Sequence, residues 1–207
     1  MKFPNDSHLD LDKFLKGYSE EINNGFNSID IEELIAISSL MDLTIKNGGT
    51  IFSCGNGGSS AISEHFVCDF LKGASTDTSI QPIIHSFTSN IPTLTAVAND
   101  IDYEEIFSYQ LRKYAKDGDI LICISSSGNS KNILKVLEEA KKHHIKTISF
   151  VGFDGGAAKS LSDHAIHIQI NNYGVVEDIH QSLMHMLAQY LRLTNMSSSE
   201  LINQKIF

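Results

Sequence analysis

The sequence predicts an α/β protein: a parallel five-stranded sheet with helices packed on both faces, in three layers, and a helical arm in front. Five short apolar runs, helix-period patterns between them and turn-forming residues at the junctions carry this reading. The runs are 50–54, 83–85, 120–124, 147–151 and 165–168. The helical patterns fall near 59–72, 91–98, 103–115, 130–142 and 175–194.

The arm comes from two further amphipathic patterns. Segment 8–23 places Leu9, Leu11, Phe14, Leu15, Tyr18 and Ile22 near helical spacing. In the next segment Ile29, Ile31, Leu34, Ile35, Ile37, Leu40, Met41 and Ile45 recur at three- and four-residue steps until Asn47-Gly48-Gly49 stops them. Residues 1–48 are therefore expected to form an arm that offers an oligomer surface, and 49–195 the main domain. The stretch 196–207, which contains Ser197, Ser198 and Ser199, reads as a frayed tail or a short extra helix.

Composition narrows the function. Among 207 residues, 42% are hydrophobic and 20% charged, which supports a buried core and excludes a disordered chain. Acidic residues outnumber basic ones 25 to 16, a net charge of -9 that would repel a nucleic-acid backbone. A small phosphorylated molecule is still admissible, because a nest of backbone N–H groups can bind it. Cys54, Cys68 and Cys123 form no CxxC pair and are expected as reduced thiols. The N-terminal MKFPNDSHLDLDKF has no apolar signal core, and no apolar run reaches membrane-spanning length. These features predict a cytoplasmic protein without a membrane or nucleic-acid partner.

Two junctions suit an anion. The first strand leads into Cys54-Gly55-Asn56-Gly57-Gly58-Ser59-Ser60 and then directly into a helix. Glycines let a ligand approach the main chain, and a helix N-terminus points unpaired N–H groups at it. The spacing matches neither GxGxxG nor GxxxxGK[ST], so no nucleotide cofactor is expected. The third strand runs into Ser125-Ser126-Ser127-Gly128-Asn129-Ser130, whose hydroxyls and following helix amides could hold a phosphate. Simple capping by Ser130 and simple turning by the glycines is the structural alternative. Both junctions lie at carboxyl ends of strands, the edge where open α/β sheets bind ligands.

The remaining polar candidates lie on helices. His65 and Asp69 are four apart and share a face, as a metal-binding pair or as a base with its partner. A surface His–Asp pair is the bland reading of the same spacing. Near the C-terminus Glu177 and His180 are three apart, and Gln181 and His185 four apart. Glu177 and His185 are two turns apart, about 12 Å of rise, so both would have to lean inward to meet one ion.

Taken together, Cys54–Ser60 with His65, Thr93–Asp100, Tyr103-Glu104, Ser125–Ser130, Phe150–Gly156 and the helix carrying His185 resemble the phosphoheptose isomerase family of SIS-domain proteins. The resemblance spans roughly 30–194. It implies a flavodoxin-like sheet, a homotetramer with active sites between subunits, and conversion of sedoheptulose 7-phosphate to a heptose 7-phosphate for lipopolysaccharide or capsule. It further implies that Asn56, Gly57, Gly58 and Ser59 touch the substrate and that Asn99 and Asp100 bind its hydroxyls. Ser125, Ser126, Ser127 and Ser130 are expected to hold the phosphate. His65, Asp69, Glu177 and His185 are expected to form a zinc site and the acid/base pair. Three positions depart from the family pattern: Asp69 stands for the usual Glu, Glu177 for the usual Gln, and Ile62 for an Asp.

The expected chemistry is aldose–ketose isomerisation through an enediol, with Asp69 or Glu177 as base and His185 as acid. One competing reading is a non-catalytic SIS protein that binds a sugar phosphate or a protein such as the bacterial replication initiator. Another is an isomerase or lyase for a different sugar phosphate. The polar residues at 65, 69, 177 and 185 favour the enzyme.

Overall fold

The computed structural model describes residues 3, 4, 10–198 and 202. The arm is two helices, α1 (Leu11–Asn27) and α2 (Ile31–Lys46). Asp10 starts α1 by accepting a hydrogen bond from Lys13 N, and Asp30 starts α2 by accepting from Glu32 N and Glu33 N. Leu9 of the expected first helix and most of the tail lie outside the described residues; Met196 forms an isolated antiparallel bridge with Thr78.

Five parallel strands follow: β1 (Thr50–Gly55), β2 (Ile83–Ser86), β3 (Ile120–Ser125), β4 (Lys146–Val151) and β5 (His164–His167). Their order across the sheet is β2-β1-β3-β4-β5, the flavodoxin-like arrangement, so β1 and β3 are neighbours whose connections leave in opposite directions. Alternation along β3 shows why both faces are covered. Ile120, Ile122 and Ile124 enter one core with Phe66, Phe150 and Leu183, while Leu121 and Cys123 enter the other with Phe107, Val136 and Leu137. Cys54 and Cys123 face each other across β1 and β3 with sulfurs 3.7 Å apart, and burial pushes the Cys123 thiol well up.

The helices are α3 (Gly58–Cys68), α4 (Ile91–Asp100), α5 (Ser108–Tyr114), α6 (Lys131–Lys142), α7 (Gly156–Leu161) and α8 (Tyr173–Thr194). Three differ from the sequence reading. The helix expected over 59–72 is α-helical only to Cys68 and continues as a π-helical turn, Asp69–Ala74. Phe66, Phe70 and Ala74 are all buried at four-residue steps, a pattern that an α-helix gives equally well. The helix expected over 103–115 is a 3₁₀ turn, Tyr103–Glu105, followed by α5, because Asp102 accepts a hydrogen bond from Glu104 N and opens a separate short turn. Helix α7 has no counterpart in the sequence reading: it is six residues long and buries only Ala158, too little to set a period.

Candidate active site

At the carboxyl ends of β1 and β3 the two expected loops are brought side by side. Gly57 stands at φ 54° before α3, and Gly128 at φ 62° inside the serine turn, conformations that favour glycine. The side-chain amides of Asn56 and Asn132 exchange two hydrogen bonds of 2.9 Å, linking the glycine-rich loop to the first turn of α6. Tyr103 adds a third by donating its hydroxyl to Asn56 Oδ1 at 3.1 Å. The serine turn is braced from behind, where Gly152 N donates to the Ser126 carbonyl at 2.8 Å and Ala158 N to the Gly128 carbonyl at 2.9 Å.

The serines are not equivalent. Ser125 and Ser126 are buried, and the Ser126 hydroxyl is shielded from solvent without a hydrogen-bond partner among the described residues. Ser127 is half-buried, with its hydroxyl oxygen 3.3 Å from Asn129 N as acceptor. Ser130 occupies the N-cap of α6 but makes no capping hydrogen bond through its side chain, so its hydroxyl is not committed to the helix. Ser59 is buried, Gly57 and Gly58 are exposed, and Asn99 and Asp100 are exposed at the end of α4, hydrogen-bonded to each other at 2.7 Å.

A second cluster forms where α3 passes into the π turn beside α8. His65 Nε2 lies 3.3 Å from Asp69 Oδ1, and His185 Nε2 lies 3.4 Å from Asp69 Oδ2. The two imidazoles meet edge to face with centroids 4.9 Å apart. One donor atom from each of these three residues lies within 4.8 Å of the others. Two imidazole nitrogens and a carboxylate oxygen are zinc-type donors, so the three residues fit that ion and leave room for a further ligand. A cavity of about 500 Å³ lined by Cys68, Asp69, Lys72, His185 and Arg192 opens beside them.

Glu177, expected in the same set, is placed elsewhere. Its carboxylate packs on Gly58, where an added Cβ would come 2.8 Å from the Glu177 carboxyl carbon. Burial raises the pKa of this carboxyl, and the neighbouring Asp178 raises it further. Gln181 occupies the position one turn along α8: its Nε2 lies 3.0 Å from His65 Nδ1 and 3.0 Å from His185 Nε2. Gln181 was outside the expected set, although its four-residue spacing from His185 is visible in the sequence; the support that Tyr103 and Asn132 give Asn56 arises only once the loops are folded. His180 faces inward, fully buried beside Phe150, and desolvation pulls its pKa down to about 4.

The SIS domain family profile matches residues 17–152. A phosphoheptose isomerase from Colwellia psychrerythraea is 35% identical over 189 residues, covering 84% of this chain and 95% of that one. This chain belongs to the phosphoheptose isomerase family of SIS-domain proteins. A phosphoheptose isomerase from Helicobacter pylori is 36% identical over 177 residues, covering 86% of this chain and 85% of that one. The structure of a phosphoheptose isomerase from Francisella tularensis superposes with a TM-score of 0.79 at 27% identity, covering 89% of this chain and 99% of that one. The family and the shared SIS fold make this chain a sugar-phosphate isomerase.

Proposed function

We propose that the protein interconverts sedoheptulose 7-phosphate and a heptose 7-phosphate, as a step toward a surface polysaccharide precursor. The gathering of His65, Asp69 and His185 in a member of the phosphoheptose isomerase family is the observation that carries this reading. The phosphate is held by the serine turn, through the Ser127 and Ser130 hydroxyls and the amides at the start of α6. Asn56 positions the glycine-rich loop on the opposite side of the crevice.

Asp69 takes the proton from the carbon beside the carbonyl and returns it to the neighbouring carbon. His185, 3.4 Å from Asp69, gives a proton to the carbonyl oxygen and accepts one from the adjacent hydroxyl. Zinc held by His65, Asp69 and His185 supplies Lewis-acid polarisation of the substrate oxygens when it is bound. Glu177 lies at the crevice end of α3, where it serves the sugar rather than the ion.

Helix geometry supports an assembly with shared sites. Eleven residues separate Gly58 from Asp69, roughly 16 Å of helix, and a seven-carbon chain at about 1.5 Å per bond is shorter. A second copy would bring one protomer's cluster to its partner's serine turn. Leu71, Met186, Tyr190 and Leu193 are exposed around the cluster, and Ile31, Ile35 and Leu43 along α2, as surfaces for a homotetramer. Among the described residues no helix is long and apolar enough to cross a membrane. A cytoplasmic location belongs to the same proposal.

The test is a panel of pentose, hexose and heptose phosphates followed by NMR in deuterated water. Turnover and solvent deuterium uptake at the carbon beside the carbonyl are expected with the heptose phosphate; absence of exchange with every ketose phosphate would end the isomerase reading.

A further inference from the structure

We propose that Glu105 is a positioning residue for the substrate crevice, acting through Tyr103 on the glycine-rich loop. The two residues are the ends of the 3₁₀ turn Tyr103–Glu105. At one end Tyr103, largely exposed, donates its hydroxyl to Asn56 Oδ1 at 3.1 Å. At the other the Glu105 carboxylate, 16% exposed, meets Lys135 Nζ at 2.9 Å, Arg112 Nη2 at 2.9 Å and the Ser108 hydroxyl at 2.6 Å. Between them Glu104 pairs with Lys131 Nζ at 3.0 Å. Lys131, Asn132 and Lys135 all lie in the first two turns of α6, directly after the serine turn. The contacts therefore close a ring. Helix α6 holds the turn, the turn holds Asn56 through Tyr103, and Asn132 returns Asn56 to α6.

A three-residue 3₁₀ turn is too short to hold itself, so its place is set by what grips its side chains. An exposed lysine–carboxylate pair contributes little, which makes Glu104 and Lys131 the minor tie. Glu105 is the stronger anchor, because it is mostly shielded and accepts from three donors at once. One of them, Arg112, also reaches Glu139 at 3.5 Å and so fixes the anchor to α6 a second time. The Ser108 hydroxyl, then Lys135 and Arg112, hold the Glu105 carboxyl down at about 2 against the effect of burial. The anchor is thus an anion throughout the neutral range. Without it the turn is free to shift, and Tyr103 shifts with it. Asn56 lies on the glycine-rich loop, a helix length from Asp69, so the loss falls on binding and spares the chemical step.

The experiment is steady-state kinetics on Tyr103→Phe, Glu105→Gln and their double variant, with hydrogen–deuterium exchange of segment 55–61 and a thermal melt of each. The kinetic arm rests on the isomerase reading given above; the exchange arm does not. Each single variant is expected to raise KM for the heptose phosphate about three- to tenfold, with kcat within about twofold of native. The double variant is expected to raise KM no further than the larger single change, because both act through one hydroxyl. Exchange in 55–61 is expected to quicken in both single variants and no further in the double. A native KM in Tyr103→Phe, or rises that multiply in the double variant, would overturn the assignment. If Glu105→Gln does not melt cooperatively, Lys135→Met takes its place: Arg112 and Ser108 stay on the carboxylate, and a smaller rise of the same kind is expected. Absence of turnover with every sugar phosphate would remove the isomerase reading alone. Quickened exchange would then still support the brace, and native exchange in both single variants would overturn it.

Discussion

Asn56 and Asn132 are locked in a reciprocal amide pair, each Nδ2 donating to the other's Oδ1 at 2.9 Å. One residue belongs to the loop after β1 and the other to the first turn of α6, so the pair ties together the two turns proposed to hold the substrate. Asn132→Ala removes both bonds and leaves Asn56 held by Tyr103 alone. A loss of about 1.4 kcal/mol in positioning corresponds to a tenfold rise in KM, with kcat nearly unchanged. Steady-state kinetics on the heptose phosphate, with inorganic phosphate as a competitive inhibitor, would read that split.

Removing the acid/base pair should do the opposite. Asp69→Asn and His185→Ala are each expected to lower kcat by about 10²- to 10⁴-fold while inorganic phosphate still binds. Ser127→Ala should raise KM instead. Retained turnover in Asp69→Asn together with its loss in Glu177→Gln would move the base to Glu177.

Gly58 leaves room for a neighbouring side chain. A methyl group there would displace the Glu177 carboxylate, the end of a flexible side chain that can swing away, so Gly58→Ala should change stability by less than about 1 kcal/mol and move Glu177 instead. Shortening Glu177 relieves the collision, and the double variant Gly58→Ala/Glu177→Ala should be more stable than the sum of the single changes implies. Additive losses in urea melts would show that the two side chains do not compete for one space.

His180 makes stability depend on pH. Its native pKa, pulled to about 4 by burial, lies below the ordinary 6.5, so between these values the unfolded chain binds a proton that the native chain does not. The contribution is intact above pH 6.5 and is lost as pH falls toward 4, about 3 kcal/mol in all. His180→Leu should flatten the melting temperature between pH 7 and 4, measured against the native chain; an unchanged slope would place the acid sensitivity elsewhere.

Much of the architecture could be read along the chain. All five apolar runs became strands within one or two residues of their expected bounds; β1, β3 and β4 are buried on both faces, and the edge strands β2 and β5 are short apolar runs between turn-forming residues. Helices with a long apolar stripe, such as α6 and α8, were equally legible. What escaped was short or mimicked another period: α7 buries one side chain, and the π turn after Cys68 keeps four-residue spacing among its buried residues.

For the site, sequence alone determined the chemical inventory and its local placement: serine and glycine turns after β1 and β3, and polar stripes on the helices that carry His65 and His185. Spacing along a helix decides only which residues share a face. Which of them meet depends on where α3 and α8 approach each other. That approach brought Gln181 to the histidines and left Glu177 over Gly58. It is set by the packing of Phe66, Phe70, Leu183 and Met184 in the core beneath, long-range contacts that no local pattern encodes.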